Sequence, residues 1–327
     1  MTKKPTIAVI AGGDSSEFVV SVKSGKNVFS AIDTEKYTPW LVHMKGSEWW
    51  VMQNDKKIAD IDKSDFSFSS EGEKINFDFA YITIHGTPGE DGILQGYFDL
   101  LRIPCSTSNV HSSSLTFNKW FCNNYLQNFG VKMARSLILQ KGETVNPSEI
   151  AEQLKLPLFV KPSAGGSSFG ITKVKNENEL IPALEKAWQE SSDALVEEFI
   201  EGTEFTCGLV RLKNEMLIFP VTEVIPKNEF FDFDAKYTPG ATDEITPARL
   251  PEELIKKCRQ LSAIIYKKCD CSGIARIDYI LKNNTFYFLE VNTIPGMTET
   301  SFIPQQINAM GLSLKQLISR IIDESLS

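Results

Sequence analysis

Four side chains near the end of the chain have the types and spacing to grip charged oxygens. Along an extended Ile274–Leu281 side chains alternate, so Arg276, Asp278 and Ile280 share one face. Along Phe286–Asn292, Phe288, Glu290 and Asn292 share one face in the same way. A turn centred near Asn284 then sets Asp278 across from Glu290 and Arg276 across from Asn292, with Cβ atoms roughly 4.5–5.5 Å apart. Like charges directly opposite destabilise a sheet unless something neutralises them. Magnesium does so naturally, because it takes carboxylate and carbonyl oxygens together with phosphate oxygens. Arg276 beside such a metal is suited to a developing phosphate or oxyanion charge. The rest of the hairpin is apolar (Ile277, Tyr279, Leu289, Val291), which argues against an ordinary solvated acidic face.

A second group of residues could hold phosphate. Lys161 ends the strand-like Leu158-Phe159-Val160 and is followed by Pro162-Ser163-Ala164-Gly165-Gly166-Ser167-Ser168-Phe169-Gly170. Glycines let backbone N–H groups approach phosphate oxygens, and serine hydroxyls add donors. The loop is neither a Walker A loop, since Ile171-Thr172 stand where that motif needs Lys-Ser/Thr, nor a GxGxxG turn. Glu17 and His85 form a third group. Each lies just past a strand-like run, Thr6–Ala11 and Phe79–Ile84. In open parallel sheets ligands gather beyond the carboxyl ends of strands, so the two are expected to share one crevice.

The elements that must position these groups follow from periodicity. The N-terminal part reads as strand, glycine turn, helix (Val20, Ser24, Val28 and Ile32 at helical spacing), then strands at 40–42, 49–51 and 79–84. Strands alternating with helices imply an open parallel α/β sheet. Further on, a helix is expected over 115–129 carrying Lys119, strands at 158–161, 171–174 and 194–200, and a helix over 177–190. The last part reads as strands at 205–212 and 216–225, a helix over 251–268, and the hairpin at 274–292. Residues 226–247 lack any period but carry aromatics, and are read as an ordered lid.

The composition agrees with an enzyme of several parts. The chain has 327 residues, of which 42% are hydrophobic, and single cores stop growing at about 250–300 residues. Two or three units are therefore expected: 1–109, 110–202 and 203–327. A net charge of −8 argues against a general nucleic-acid binder. The six cysteines include no CxxC pair, so reduced, buried thiols are expected rather than a zinc site or disulfide framework. The apolar run after Lys4 is too short for a signal peptide, and no run of about 18 apolar residues occurs. A cytoplasmic protein, away from membranes, is expected.

Taken together, KPSAGGSSFG, LVEEFIEG, ARID and LEVNTIPGMT resemble the ATP-grasp fold, an α+β arrangement of two subdomains. With AGGDSSE near the start and IHGTPGEDG, the chain resembles the D-alanine–D-alanine ligases from Ile7 to its C-terminal helix. The resemblance implies an N-terminal α/β domain contacting a first substrate, followed by the two ATP-grasp subdomains. It implies that Lys119 and Lys161 contact nucleotide phosphates and that Lys236 in the lid reaches the γ-phosphate. Glu197, Glu198 and Ile200 would line the adenine and Glu204 would bind the ribose. Asp278, Glu290 and Asn292 would hold two magnesium ions, with manganese as a substitute, and Asn292 would also lie against the nucleotide.

The implied reaction makes D-alanyl phosphate from ATP and D-alanine, then D-alanyl-D-alanine by attack of a second D-alanine, for peptidoglycan precursor synthesis. Glu17 would anchor the first substrate's ammonium, with His85 nearby. Ser167 and Tyr237 would join Glu17 in a cluster coupling the lid to the site. Arg276 and the Gly296 N–H would stabilise the oxyanion, and Ser301, with Phe302, would meet the second substrate. A homodimer is also implied. The chain departs from the family's usual residues at Phe302 (leucine), Phe169 (valine) and Val19-Val20 (Glu-Val). These bear on substrate preference rather than reaction class. A D-alanine–D-lactate ligase, another ATP-grasp carboxylate–amine ligase and a non-catalytic nucleotide-binding regulator remain as alternatives at this stage. Replacing Lys236 with alanine should lower turnover more than D-alanine binding, because a contact to the transferred phosphate is lost. Steady-state kinetics with D-alanine calorimetry checks this, and unchanged turnover excludes Lys236 from that role.

Overall fold

The computed structural model describes residues 4–166, 169–213, 215–226 and 242–327. The predicted roles of Ser167, Lys236 and Tyr237, and most of the predicted lid, lie outside the described residues.

The first sheet has five strands, ordered Lys56–Asp60, Glu48–Gln53, Thr38–Lys45, Thr6–Gly12, Phe79–Ile82. Thr6–Gly12 runs parallel to both neighbours. Every residue of it is buried, which explains its unbroken apolar run in place of an alternating one. Helix Phe18–Ala31 supplies the crossover to Thr38–Lys45. The sheet is parallel from Thr38–Lys45 to the Phe79–Ile82 edge only. Glu48–Gln53 follows a two-residue connection, far too short for a crossover, and so returns antiparallel, as does Lys56–Asp60.

The second sheet has four antiparallel strands, ordered Thr172–Val174, Leu158–Pro162, Asp193–Glu198, Ser136–Gln140. Helices Pro147–Leu154 and Leu180–Ala187 cover it, burying Ile150, Leu154, Leu180 and Leu184 against Val160 and Val196. The third sheet runs Thr242–Ile245, Thr222–Pro226, Thr203–Arg211, Ile274–Lys282, Thr285–Asn292, with Met216–Ile218 also paired to Thr203–Arg211. Helix Glu252–Lys268 packs Cys258, Ile265 and Tyr266 onto it beside Phe205 and Tyr279. The C-terminal helices Phe302–Ala309 and Leu314–Ser325 fold back on the first sheet, setting Ile303, Leu317, Ile318 and Ile322 against Ile7, Val9 and Tyr81. All six cysteines are free thiols, five of them buried.

Several elements differ from the sequence expectation. The helix expected over 115–129 is two helices, Val110–Phe117 and Lys119–Gln127. Asn118 breaks it with extended backbone, and its side chain caps the second helix by accepting from the Phe121 N–H. The strand expected over 216–225 is interrupted at Pro220, which has no N–H for a ladder. Residues 177–190 form a 3₁₀ turn, Glu177–Glu179, and then the shorter helix Leu180–Ala187. Thr242–Ile245, inside the segment read as irregular, is a strand.

The hairpin differs most informatively. Its turn is Asn283-Asn284, both with positive φ (49° and 58°), so Lys282 pairs with Thr285. An uninterrupted ladder from that turn would set Asp278 against Leu289. A register shift between Asp278 and Tyr279 inserts one extra residue in the second strand, and Asp278 pairs with Glu290 and Arg276 with Asn292 as the sequence implied. The shift also turns Phe288 to the Tyr279 side, into the core, and not to the face of Glu290.

The turn that follows the first strand depends on Gly12. Its φ is +112°, and a Cβ there would lie 2.2 Å from the Met44 carbonyl oxygen. Gly12→Ala should therefore destabilise the protein by about 2–4 kcal/mol, combining backbone strain with overpacking. Urea unfolding of the variant checks this; a change within about 0.5 kcal/mol would refute it.

Candidate functional site

The edges of the three sheets meet around a cavity of about 370 Å³. Glu17, His85, Arg276, Glu290, Asn292, Gly296, Ser301 and Phe302 all line it. Eight of the residues singled out in the sequence thus come together from positions nearly 300 apart. Asp278 lies behind the wall, held by two of them. The Arg276 guanidinium donates to it through Nε (2.9 Å) and Nη2 (2.7 Å), and Asn292 Nδ2 donates to Asp278 Oδ2 at 3.0 Å. Thr206 Oγ1 adds a fourth bond at 2.6 Å. Both charges are largely desolvated, with side chains 14% and 6% exposed. Burial alone would depress the Arg276 pKa, but Asp278 and then Glu290 raise it above the ordinary arginine value. Removing either partner would leave the other charge buried and unpaired, a cost of about 3–5 kcal/mol. The guanidinium also sits 5.4 Å from the centre of the Phe302 ring.

The serine loop approaches from the second sheet. Lys119 opens helix Lys119–Gln127, and its Nζ lies 2.7 Å from the Gly165 carbonyl oxygen and 3.3 Å from Glu290 Oε2. The ammonium therefore joins this loop to the Ile274–Asn292 hairpin. A Cβ at Gly166 would lie 2.5 Å from Glu17 Oε2, so a larger residue there would displace that carboxylate. Lys161 pairs with Glu197 at 2.6 Å, and Asn123 lies beside Glu197 at 3.5 Å. Glu198 pairs instead with Arg135 (2.8 Å) on the outer side. Ile200 follows the end of that strand, and Glu204 sits in the third sheet opposite Val224 and Ile280. Ser301 caps the approach to the last site helix, accepting from the Thr298 N–H at 3.1 Å.

His85 is buried. Its Nδ1 lies 2.9 Å from the Ile294 carbonyl oxygen, which can only accept, so Nδ1 carries the proton. In the neutral ring Nε2 then accepts from the Ser24 hydroxyl, 3.4 Å away. Burial pushes the His85 pKa down, although the Glu17 charge and the Ile294 bond oppose it.

Models of the D-Ala D-Ala ligase N-terminus and C-terminus match residues 6–108 and 125–323. This chain belongs to the D-alanine–D-alanine ligase family. A D-alanine–D-alanine ligase of Phocaeicola vulgatus is 53% identical over 98% of this chain and 99% of its own length. Among solved structures, the VanG D-Ala:D-Ser ligase of Enterococcus faecalis superposes with a TM-score of 0.88 at 32% identity, covering 99% of this chain and all of that one. The Bacillus anthracis D-alanine–D-alanine ligase, solved with ATP, gives 0.78 at 31% identity over 98% of this chain and 97% of that one.

This ligase site also contains residues the sequence reading missed. Glu90 lines the cavity, and its carboxyl accepts from the Gly86 N–H at 2.8 Å. Burial, and then the Glu17 charge, push its pKa up to about 8. The acids Glu90-Asp91 were visible after Pro88-Gly89, but only the folded loop shows which one turns inward. Glu244 is a second missed acid; burial raises its pKa, and Gln305 donates to it at 2.5 Å.

The neutral His85 makes stability depend on pH. Its folded pKa lies below the unfolded value of about 6.5. As pH falls below that value the unfolded chain binds a proton the folded one does not, so stability drops until the folded pKa is passed. Urea unfolding between pH 8 and 5 should show wild type losing stability relative to His85→Gln, by at most about 1.4 kcal/mol per pH unit. Parallel curves would mean that His85 titrates normally.

Proposed function

We propose that this protein is an ATP-dependent ligase that joins two D-alanine molecules into D-alanyl-D-alanine for peptidoglycan precursors, releasing ADP and phosphate. The observation that carries this reading is the convergence of Glu17, Arg276, Gly296 and Ser301 on one cavity, walled by the Asp278–Glu290 hairpin, in a chain of this family. An ammonium, a carboxylate and a developing oxyanion each find a partner of opposite charge or a donor there.

Glu17, enclosed at the start of helix Phe18–Ala31, takes the ammonium of the first D-alanine. Lys119, Lys161 and Lys236 meet the nucleotide phosphates, and Glu197, Glu198, Ile200 and Glu204 line the base and ribose. The carboxylate of the first D-alanine takes the γ-phosphoryl group, giving D-alanyl phosphate. The amine of the second, held near Ser301 and Phe302, attacks that carbonyl. Arg276 and the Gly296 N–H hold the charge of the tetrahedral adduct, and phosphate leaves. Catalysis rests on positioning and charge neutralisation. Ser167 and Tyr237 join Glu17 in linking the lid to this site.

Glu290 and Asn292 on the cavity wall, with Asp278 behind them, offer two carboxylates and an amide oxygen, the donor type magnesium takes; Asp278 would exchange its bonds to Arg276 and Asn292 for the metal. Two magnesium ions, replaceable by manganese, would there neutralise the phosphates during transfer. Among the described residues no helix is long and apolar enough to cross a membrane. We place the enzyme in the cytoplasm, as a homodimer, with only small molecules as substrates.

Product identification tests the reading. Purified protein with ATP, magnesium and D-alanine should yield D-alanyl-D-alanine, and faster at pH 7.5 than the mixed product with added D-lactate or D-serine. Dominant formation of either mixed product would overturn the second-substrate assignment. ADP release independent of D-alanine would overturn the ligase. Glu290→Gln should cut turnover on the order of a hundred-fold while circular dichroism stays native. Near-normal turnover at limiting magnesium would remove the hairpin from the mechanism.

A further inference from the structure

The segment that carries Gly296 belongs by sequence to the third sheet, but its hydrogen bonds go to the first. The carbonyl group of Ile294 is taken by the loop after the Phe79–Ile82 strand. The His85 ring donates to its carbonyl oxygen (2.9 Å). Both backbone groups of Met297 are taken by helix Phe18–Ala31. Its N–H donates to Ser24 Oγ (3.2 Å), and Asn27 Nδ2 donates to its carbonyl oxygen (2.7 Å). The side chains agree with this. Ile294 packs into the core of the first sheet, with Ile10, Ile82 and Ile84. Met297 is buried beside Val28 and Ile32. Only Pro295 and Gly296 stand between these two grips, and both line the cavity.

We propose that Ser24 and Asn27, with His85, are positioning residues that act through Ile294 and Met297 to hold the Gly296 N–H where the oxyanion forms. The proposal rests on the reading of Gly296 given above. In it His85 holds the backbone and does not touch the substrate. The physical reason is general: a donor stabilises a transition state only if it is already in place when the charge appears. Pro295-Gly296 contributes no side chain that could hold itself in place. Three backbone bonds from two neighbouring elements fix it instead. A misplacement on the order of 1 Å costs about a hundred-fold in rate, so partial loss of the grip should be visible in kcat.

Asn27 is the informative position, because it is half-buried and its replacement leaves the core intact. Asn27→Ala removes the donor and the packing, whereas Asn27→Asp keeps the size but sets a charged acceptor in place of the donor. Both variants of the full-length enzyme should lose about ten- to hundred-fold in kcat. The KM for the first D-alanine and the calorimetric Kd for ATP should stay within about two-fold. Affinity for a phosphinate analogue of the tetrahedral adduct should fall in step with kcat. Unchanged kcat in both variants, loss in Asn27→Ala alone, or an equal loss of ATP affinity overturns the grip. A crystal structure of the wild type with the phosphinate separates the two readings. If the Gly296 N–H makes no hydrogen bond to the phosphinate, the role of Gly296 falls and the proposal with it. If that bond is present and kcat is unchanged, the grip alone falls.

Discussion

The site depends on one buried ion pair. Asp278 and Glu290 face each other across two strands, an arrangement a sheet tolerates only when positive charge is at hand. Arg276, two residues along the same strand, supplies it through a bidentate contact. Lys119 reaches Glu290 from another element. Because the pair lies out of water, neither charge can be dropped without exposing the other. The same two strands therefore specify a pair of facing carboxylates and a fixed guanidinium at a set spacing. The cavity, the serine loop and the Gly296 segment are arranged around that spacing.

Much of this wall was readable from alternation alone. Period two on each strand puts Arg276 with Asp278 and Glu290 with Asn292, and a short turn brings the pairs together. The bulge was not readable. An extra residue in a strand leaves the local pattern of apolar and polar residues nearly intact, and shows itself only as a mismatch between the turn register and the site register. Phe288 was the one clue, since a large apolar side chain is out of place beside two acids. Its burial with Tyr279 resolves the conflict. The break at Asn118 was hidden for a similar reason, as Leu115, Cys122 and Leu126 suit a helix whether or not it pauses between them. Pro220 should have divided its strand on sequence grounds.

The remaining site residues were legible in kind but not in role. Glu17 and His85 were expected in one crevice because each follows a strand, and they share it. That His85 is buried and bonded to backbone depends on Ser24 and Ile294, partners separated from it by 61 and 209 positions. No local pattern carries such pairings. The ligase motifs identified the chemistry as a set, whereas the side chains that steady those motifs lie outside them.

The pause at Asn118 has a mechanical consequence. The Lys119 N–H donates to the Ser163 carbonyl oxygen at 2.8 Å, Ser163 Oγ donates to Asn118 Oδ1 at 3.0 Å, and Asn118 bridges to Ala164. The head of the helix is in this way riveted to the glycine-rich turn, and the Lys119 ammonium reaches back to Gly165. Lysine and turn form a single jaw. Any displacement of one carries the other with it.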